Sequence, residues 1–355
     1  MQGFFKLAAI AALGFAATSA YAAEKVKIGF VYVGPKNDGG WSQRHDIGRT
    51  DIEAKFGDKV ETTYVESVQE GPDAQRVIER LAREGHDIIF TTSFGFMNPT
   101  LKVAKKFPKV KFEHATGYKR SDNVATYSSR FYEGRYIIGQ MAGRMSKTNT
   151  VGYIASFPIP EVVRGINAFL LGAQSVNSDM KIKVIWVNTW HDPAKEADAA
   201  KALFDQGVDI ITQHTDSPAP LQIAEERGLL GFGQAENMEA FAPKAQMSAI
   251  IDNWSPYYIA RVEALMNGTW ESGDTWGGIS TGMVAMADYK NVPADVAAEA
   301  QATEEAISSG ALHAFKGPIF DQSGKQIIGE GEVLDDGQLA TMNWYVQGVD
   351  DKLPN

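Results

Sequence analysis

The sequence predicts an α/β protein of two similar lobes, each a doubly wound parallel sheet flanked by helices. Three observations carry that expectation. Short apolar runs alternate with helically spaced stretches along most of the chain. Beyond Lys147 the alternation starts afresh, and Gly85–Thr91 (GHDIIFT) is echoed by Gly207–Thr212 (GVDIIT), each copy following a helix and ending at a polar loop. The 355 residues also suit two lobes at roughly 150 residues per domain.

The N-terminus reads as an export signal. Met1–Lys6 carries one positive charge, Leu7–Ala17 (LAAIAALGFAA) is apolar but too short to span a bilayer, and Ala20-Tyr21-Ala22 fits a cleavage site. Residues 1–22 are therefore expected to be removed, and the chain has no cysteine to carry a lipid anchor.

The first unit opens with an apolar strand, Val26–Val33. The glycine-rich turn Gly34–Gln43 (GPKNDGGWSQ) follows, and then a helix from Arg44 to Phe56. That places the turn at the carboxyl end of a strand, where open parallel sheets bind ligands. Its glycines would admit a guest close to the backbone, Asp38 could accept hydrogen bonds and Trp41 could stack. The same residues also suit a plain helix start, with Asp38 as cap. The turn is neither GxGxxG nor GxxxxGK[ST], so no dinucleotide or triphosphate loop is indicated.

The remaining elements follow in order. Val60–Ser67 is a strand, Pro72–Glu84 a helix closed by Gly85, and Asp87–Thr92 a buried strand. A helix from Asn98-Pro99 to about Phe107 precedes strands at Val110–Ala115 and Val124–Ser129. A small-residue helix, Tyr132–Ser146, then leads to a crossing at Lys147–Asn149. The second lobe repeats the plan with strands at Val151–Ser156, Ile182–Thr189, Leu229–Gly233 and Met247–Asp252, and helices at Pro160–Val176 and Pro193–Gln206. The chain is expected to cross back near Ile251–Trp254. A helix Pro256–Met266, a strand-like Trp276–Ala287, a helix Val296–Ser309 and a Gly/Asp-rich tail complete it. The expected lobes are thus residues 23–146 with about 253–275, and 147–252 with about 276–355.

Composition narrows the function. A net charge of −10 without basic runs argues against nucleic-acid binding. With no cysteine, disulfides and thiolate metal sites are ruled out. His191-Asp192 and His214-Thr215-Asp216 offer imidazole and carboxylate, but lack HxxxH spacing and an accompanying nucleophile motif; no cofactor or metal is expected. Loops at the strand ends concentrate rings, namely Trp41, Phe94, Phe96, Phe157 and Trp190, with Asp38, Asp192, Thr215, Asp216 and Gln234 as polar groups. Such a mixture suits a flat heterocycle, stacked and oriented by hydrogen bonds.

The turn Asp38–Gln43 (DGGWSQ), Phe94–Met97 (FGFM), Tyr132–Gly139 (YEGRYIIG), Asp192–Lys195 (DPAK) and Asp205–Ile211 (DQGVDII) occur in that order. Together they resemble the basic membrane protein family, the purine nucleoside receptor type of periplasmic binding protein serving ABC importers. The resemblance implies a type I periplasmic-binding-protein fold with its ligand in the interlobe cleft, an ABC permease as partner, and a monomer free in the periplasm. It implies that Asp38 bonds the purine edge, that Trp41 replaces the family's stacking phenylalanine, and that Trp190 supplies a second ring. Gly39 belongs to the same motif, and Asp252 sits where a lysine often lies nearby. That lysine is missing here, and Gly233-Gln234 stands where the receptors have an acidic residue for ribose. Both departures favour a bare purine base over a nucleoside. A nucleoside receptor, a sensing subunit for a membrane kinase and a secreted hydrolase are the alternatives.

Overall fold

The alternating pattern produces two open sheets in the computed structural model, which describes residues 24–354. The expected signal peptide, residues 1–22, lies outside the described residues. In the first lobe, β1 (Val26–Val31), β2 (Val60–Val65), β3 (Ile88–Thr91), β4 (Lys111–Ala115) and β5 (Val124–Ser129) alternate with α1 (Trp41–Phe56), α2 (Pro72–Arg83) and α3 (Met97–Ala104). After α4 (Phe131–Met145), the second lobe has β6 (Thr150–Ala155), β7 (Lys181–Trp186), β8 (Ile210–His214), β9 (Leu230–Ala235) and β10 (Gln246–Asp252). These are joined by α5 (Pro160–Gln174), α6 (Pro193–Asp205) and α7 (Ala219–Arg227). The nine residues of α7 escape the sequence reading because so short a helix shows little periodicity.

Both sheets use one strand order. The first runs β5-β4-β3-β1-β2 and the second β10-β9-β8-β6-β7, all parallel. The sequence echo has its cause here: β3 and β8 hold equivalent places, with Ile88 beside Ile28 of β1 and Ile210 beside Val151 of β6.

The chain crosses between lobes earlier than expected. Helix α4 packs against α5, where Gly139 and Gly172 bring the two backbones together; a Cβ on either would lie 2.0 Å from a carbonyl oxygen of the other helix. Phe131, Ile137, Ile138 and Met141 belong to the second lobe's core. The crossing is therefore at Arg130, one helix before the expected Lys147–Asn149, because the small residues of α4 serve a partner that periodicity does not name.

The chain then returns to the first lobe through α8 (Ser255–Met266), whose Tyr258 and Val262 join the core of Ile28, Phe30 and Phe90, and adds β11 (Asp274–Gly277) beside β5. It crosses again to β12 (Val284–Met286), antiparallel to β10. The strand-like stretch Trp276–Ala287 thus divides between two sheets. Helix α9 (Ala294–Ser308), β13 (Ile319–Phe320), β14 (Gln326–Ile328) and α10 (Asp336–Ala340) follow. The tail lies on the second lobe, where Asn167 bonds the backbone of Trp344 and Val346, and Phe315, Leu339 and Tyr345 enter the core. Burying each such ring or aliphatic chain is worth about 1.5–3 kcal/mol. In a chain without cysteine, that burial holds the lobes.

Candidate ligand-binding site

Strand order reverses between β1 and β3, and again between β6 and β8, so the loops at these carboxyl ends diverge and leave a crevice. Val33, Trp41, Ser93, Phe94 and Thr116 line it from the first lobe. Glu161, Trp190, His214, Asp216 and Gln234 face them from the second, and the empty volume between them, counting space open to solvent, is about 340 Å³. Trp41, Phe94, Trp190, Asp216 and Gln234, all expected from sequence, are thereby brought together.

Each indole is fixed by its N–H. Trp41 donates to the Thr92 carbonyl at 2.6 Å and rests edge-on against His45 and Trp254, with centroids 4.5 and 5.6 Å away. Trp190 donates to Glu70 of the other lobe at 3.3 Å and leans on Phe157, centroids 5.1 Å apart. With both N–H groups engaged, the rings offer their faces and edges as apolar surface.

The polar groups are held from behind. Arg135 of α4 is fully buried and donates to Thr212 Oγ1 at 2.8 Å, to the Gln213 carbonyl at 2.6 Å and to Gln234 Oε1. That last bond occupies the Gln234 carbonyl and leaves its NH₂ for a guest. Burial pushes the Asp216 carboxyl well above the usual range, and the neighbouring carboxyls of Asp38, Glu196, Asp252 and Glu161 push it further. Burial also raises Glu161, against the pull of Arg164 and Arg135. His214 is held well below the usual imidazole range by burial and by Arg135 and Arg164; its Nε2 lies 3.8 Å from Glu161 Oε1. The lining contains two acids biased toward the neutral form, a neutral imidazole and no lysine or arginine. Such a surface suits an uncharged guest that exchanges hydrogen bonds, and has no cation to offer a phosphate.

Other expected residues lie elsewhere. The Asp38 carboxyl is taken by the start of α1, accepting from the amides of Gly40 at 2.9 Å, Ser42 at 2.7 Å and Gln43 at 3.0 Å. Burial raises its pKa and those amides lower it. Gly39, at φ +87°, and Gly40 face the opposite lobe rather than a guest. A Cβ would meet Pro218 Cδ at 3.1 Å from Gly39, and the Asp216 carbonyl at 2.7 Å from Gly40. Phe96 is a core ring beside Val103 and Phe112, buried because the turn before α3 points it inward. Phe157 stands behind Trp190. Asp192 caps α6, accepting from the Lys195 amide at 3.1 Å, and that bond keeps its carboxyl below the usual range. Thr215 is buried, its carbonyl accepting from Gln213 Nε2 at 2.8 Å. Asp252 is buried at the crossing after β10 with neither carboxyl oxygen hydrogen-bonded, and burial raises its pKa to about 8. Among the described residues, no group of three or more metal-ligating side chains could hold a metal ion.

Four lining residues were not singled out by sequence, and His214 enters there only as a metal or acid/base candidate. Ser93 and Glu161 fall within loops that the strand pattern marks, but their side chains have no ring or motif to distinguish them. Thr116 follows β4, whose loop carries no aromatic cluster, and Val33 reads simply as the end of β1.

Comparison with known proteins accords with the two-lobed fold. The profile of a family described as "ABC transporter substrate-binding protein PnrA-like" matches residues 25–313. A purine-binding protein of Brucella abortus is 58% identical over 95% of this chain and 96% of its own. A Haloferax volcanii protein named as the glucose-binding component of an ABC transporter is 39% identical over 94% and 82%. Among solved structures, a solute-binding protein of an ABC transporter from Aeropyrum pernix K1 superposes with a TM-score of 0.70 at 18% identity, covering 81% of this chain and 92% of its own. One from Conexibacter woesei gives 0.64 at 21% identity, covering 81% and 98%. The family and these relatives are solute-binding proteins rather than enzymes. Such proteins work outside the cytoplasmic membrane. The chain belongs to the PnrA-like family of ABC transporter substrate-binding proteins.

Proposed function

We propose that the cleft binds a purine base, stacked between Trp41 and Trp190, and delivers it from the periplasm to an ABC permease. The carrying observation is that these indoles come from opposite lobes and line one cavity together with Asp216 and Gln234. In this reading the purine edge falls to Asp216 rather than to Asp38, whose oxygens are occupied by backbone amides. A neutral carboxyl donates through its O–H and accepts through its carbonyl, matching a ring nitrogen beside an exocyclic amine. Gln234 adds one donor.

A base is favoured over a nucleoside. The Gln234 carbonyl already accepts from Arg135, and a neutral amide is a weaker partner for a ribose diol than the acidic residue the nucleoside receptors place there. The purine-binding relative supports a purine ligand, while the Haloferax relative makes a sugar the competing ligand. The chain is then a free monomer that closes on its ligand as the lobes turn about the crossings near Arg130, Asn253 and Gly278.

Calorimetry with adenine, hypoxanthine, guanine, xanthine, adenosine, inosine and glucose tests the reading. A base should bind at least tenfold more tightly than its nucleoside. Binding of glucose with no purine bound would overturn it.

A further inference from the structure

One residue outside the stacking pair ties the lobes together. Glu70 lies in the loop between β2 and α2. Its Oε1 accepts from Ser93 Oγ at 2.6 Å and from the Gly95 amide at 2.9 Å, both in its own lobe, and from Trp190 Nε1 at 3.3 Å across the cleft. Gly95 makes room for it: a Cβ there would lie 2.2 Å from Glu70 Cδ.

Position in the fold gives this contact its significance. The partners follow β2 and β7, the edge strands of their sheets, whereas the crossings run by β11 and β12 at the opposite edges. A rotation about the crossings displaces the β2 and β7 edges most, so a bond between them forms only near full closure. It also reaches the one polar atom of Trp190, which otherwise rests on Phe157.

We propose that Glu70 is a positioning residue and closing latch: it fixes the face of Trp190 toward the ligand and holds the far edges of the lobes together. It acts through Trp190, and rests on the reading that this ring is a ligand platform.

Without a native cysteine, spin labels can be attached cleanly at Glu61→Cys on β2 and Lys181→Cys on β7, both exposed. The interlobe distance is measured without ligand and with saturating adenine, in Glu70 and Glu70→Ala backgrounds. Adenine binding kinetics are followed by stopped-flow tryptophan fluorescence in parallel.

A hydrogen bond to a charged group, when lost, should speed dissociation about tenfold to a hundredfold while association changes little. The closed-distance population should fall in Glu70→Ala, which removes the accepting oxygen. Trp190→Phe, which keeps a ring but removes the N–H, should close as poorly as Glu70→Ala, and the double variant should be little worse than either. Gly95→Ala, which displaces the Glu70 carboxyl without altering either partner, should reproduce the loss.

Additive effects of Glu70→Ala and Trp190→Phe would show Glu70 to be loop support only. Distance distributions unchanged in every variant, with or without adenine, would overturn the latch. If adenine does not bind the unmodified protein, the purine reading fails, while the ligand-free distances still decide for or against the latch.

Discussion

Replacing Gly40 by alanine should block closure without touching ligand. The added Cβ would lie 2.7 Å from the Asp216 carbonyl oxygen, 3.2 Å from Asp216 Cα and 3.2 Å from the Gln234 carbonyl oxygen. The closest contact is about 0.8 Å inside the ~3.5 Å at which nonbonded heavy atoms sit without repulsion. All three atoms are backbone of the other lobe, so no side-chain rotation can relieve the overlap. Overpacking of this kind costs about 1–3 kcal/mol. Because the opposing atoms withdraw when the lobes part, the cost falls on the closed form and should weaken purine affinity about 5- to 150-fold. Meanwhile the Gly40 amide bond to Asp38 survives in alanine. Calorimetry with the tightest-binding purine, paired with thermal melts of the ligand-free protein, separates the effects. Affinity should drop while the ligand-free melting temperature stays. An unchanged affinity, or an equal destabilisation of the ligand-free form, would refute the argument.

Three further outcomes are expected. Trp41→Ala should cost about 1–3 kcal/mol of purine binding, the range for a base stacked on an aromatic side chain, and calorimetry reads it directly. Binding should weaken as rising pH ionises Asp216, whose folded pKa burial has raised, and Asp216→Asn, which keeps a donor and an acceptor without titrating, should flatten that dependence in binding isotherms. Asp252, raised to about 8, is favoured in its protonated form by the fold. Its contribution to stability is full below the unfolded value near 4 and is lost as pH rises through about 8, at no more than about 1.4 kcal/mol per pH unit. Asp252→Asn should therefore make urea-unfolding stability less dependent on pH, and leave the variant the more stable above about pH 8. A parallel decline in both proteins would remove Asp252 as the cause.

The sequence by itself determined the two-lobed plan. Strand and helix periods are local properties, so β1 to β6 and their helices could be placed within a few residues, and the repeated Asp-Ile-Ile segment marked β3 and β8 as equivalent. It also determined which loops would line the cleft, because parallel strands put their carboxyl ends on one side. Tertiary structure alone decided which side chains in those loops face the cavity and which lobe owns α4. Phe94 and Phe96 are two residues apart, yet one lines the cleft and the other fills the core, since a short turn between them sets their directions. Asp38 and Asp216 are both acids in strand-end loops, and sequence cannot say that three amides occupy the first while the second has no cationic partner among the described residues. The reach of Glu70 to Trp190, 120 residues away, exists only when two separately folded lobes meet. Periodicity is written along the chain; a partner's occupancy is a property of space, and distant segments share space only after folding.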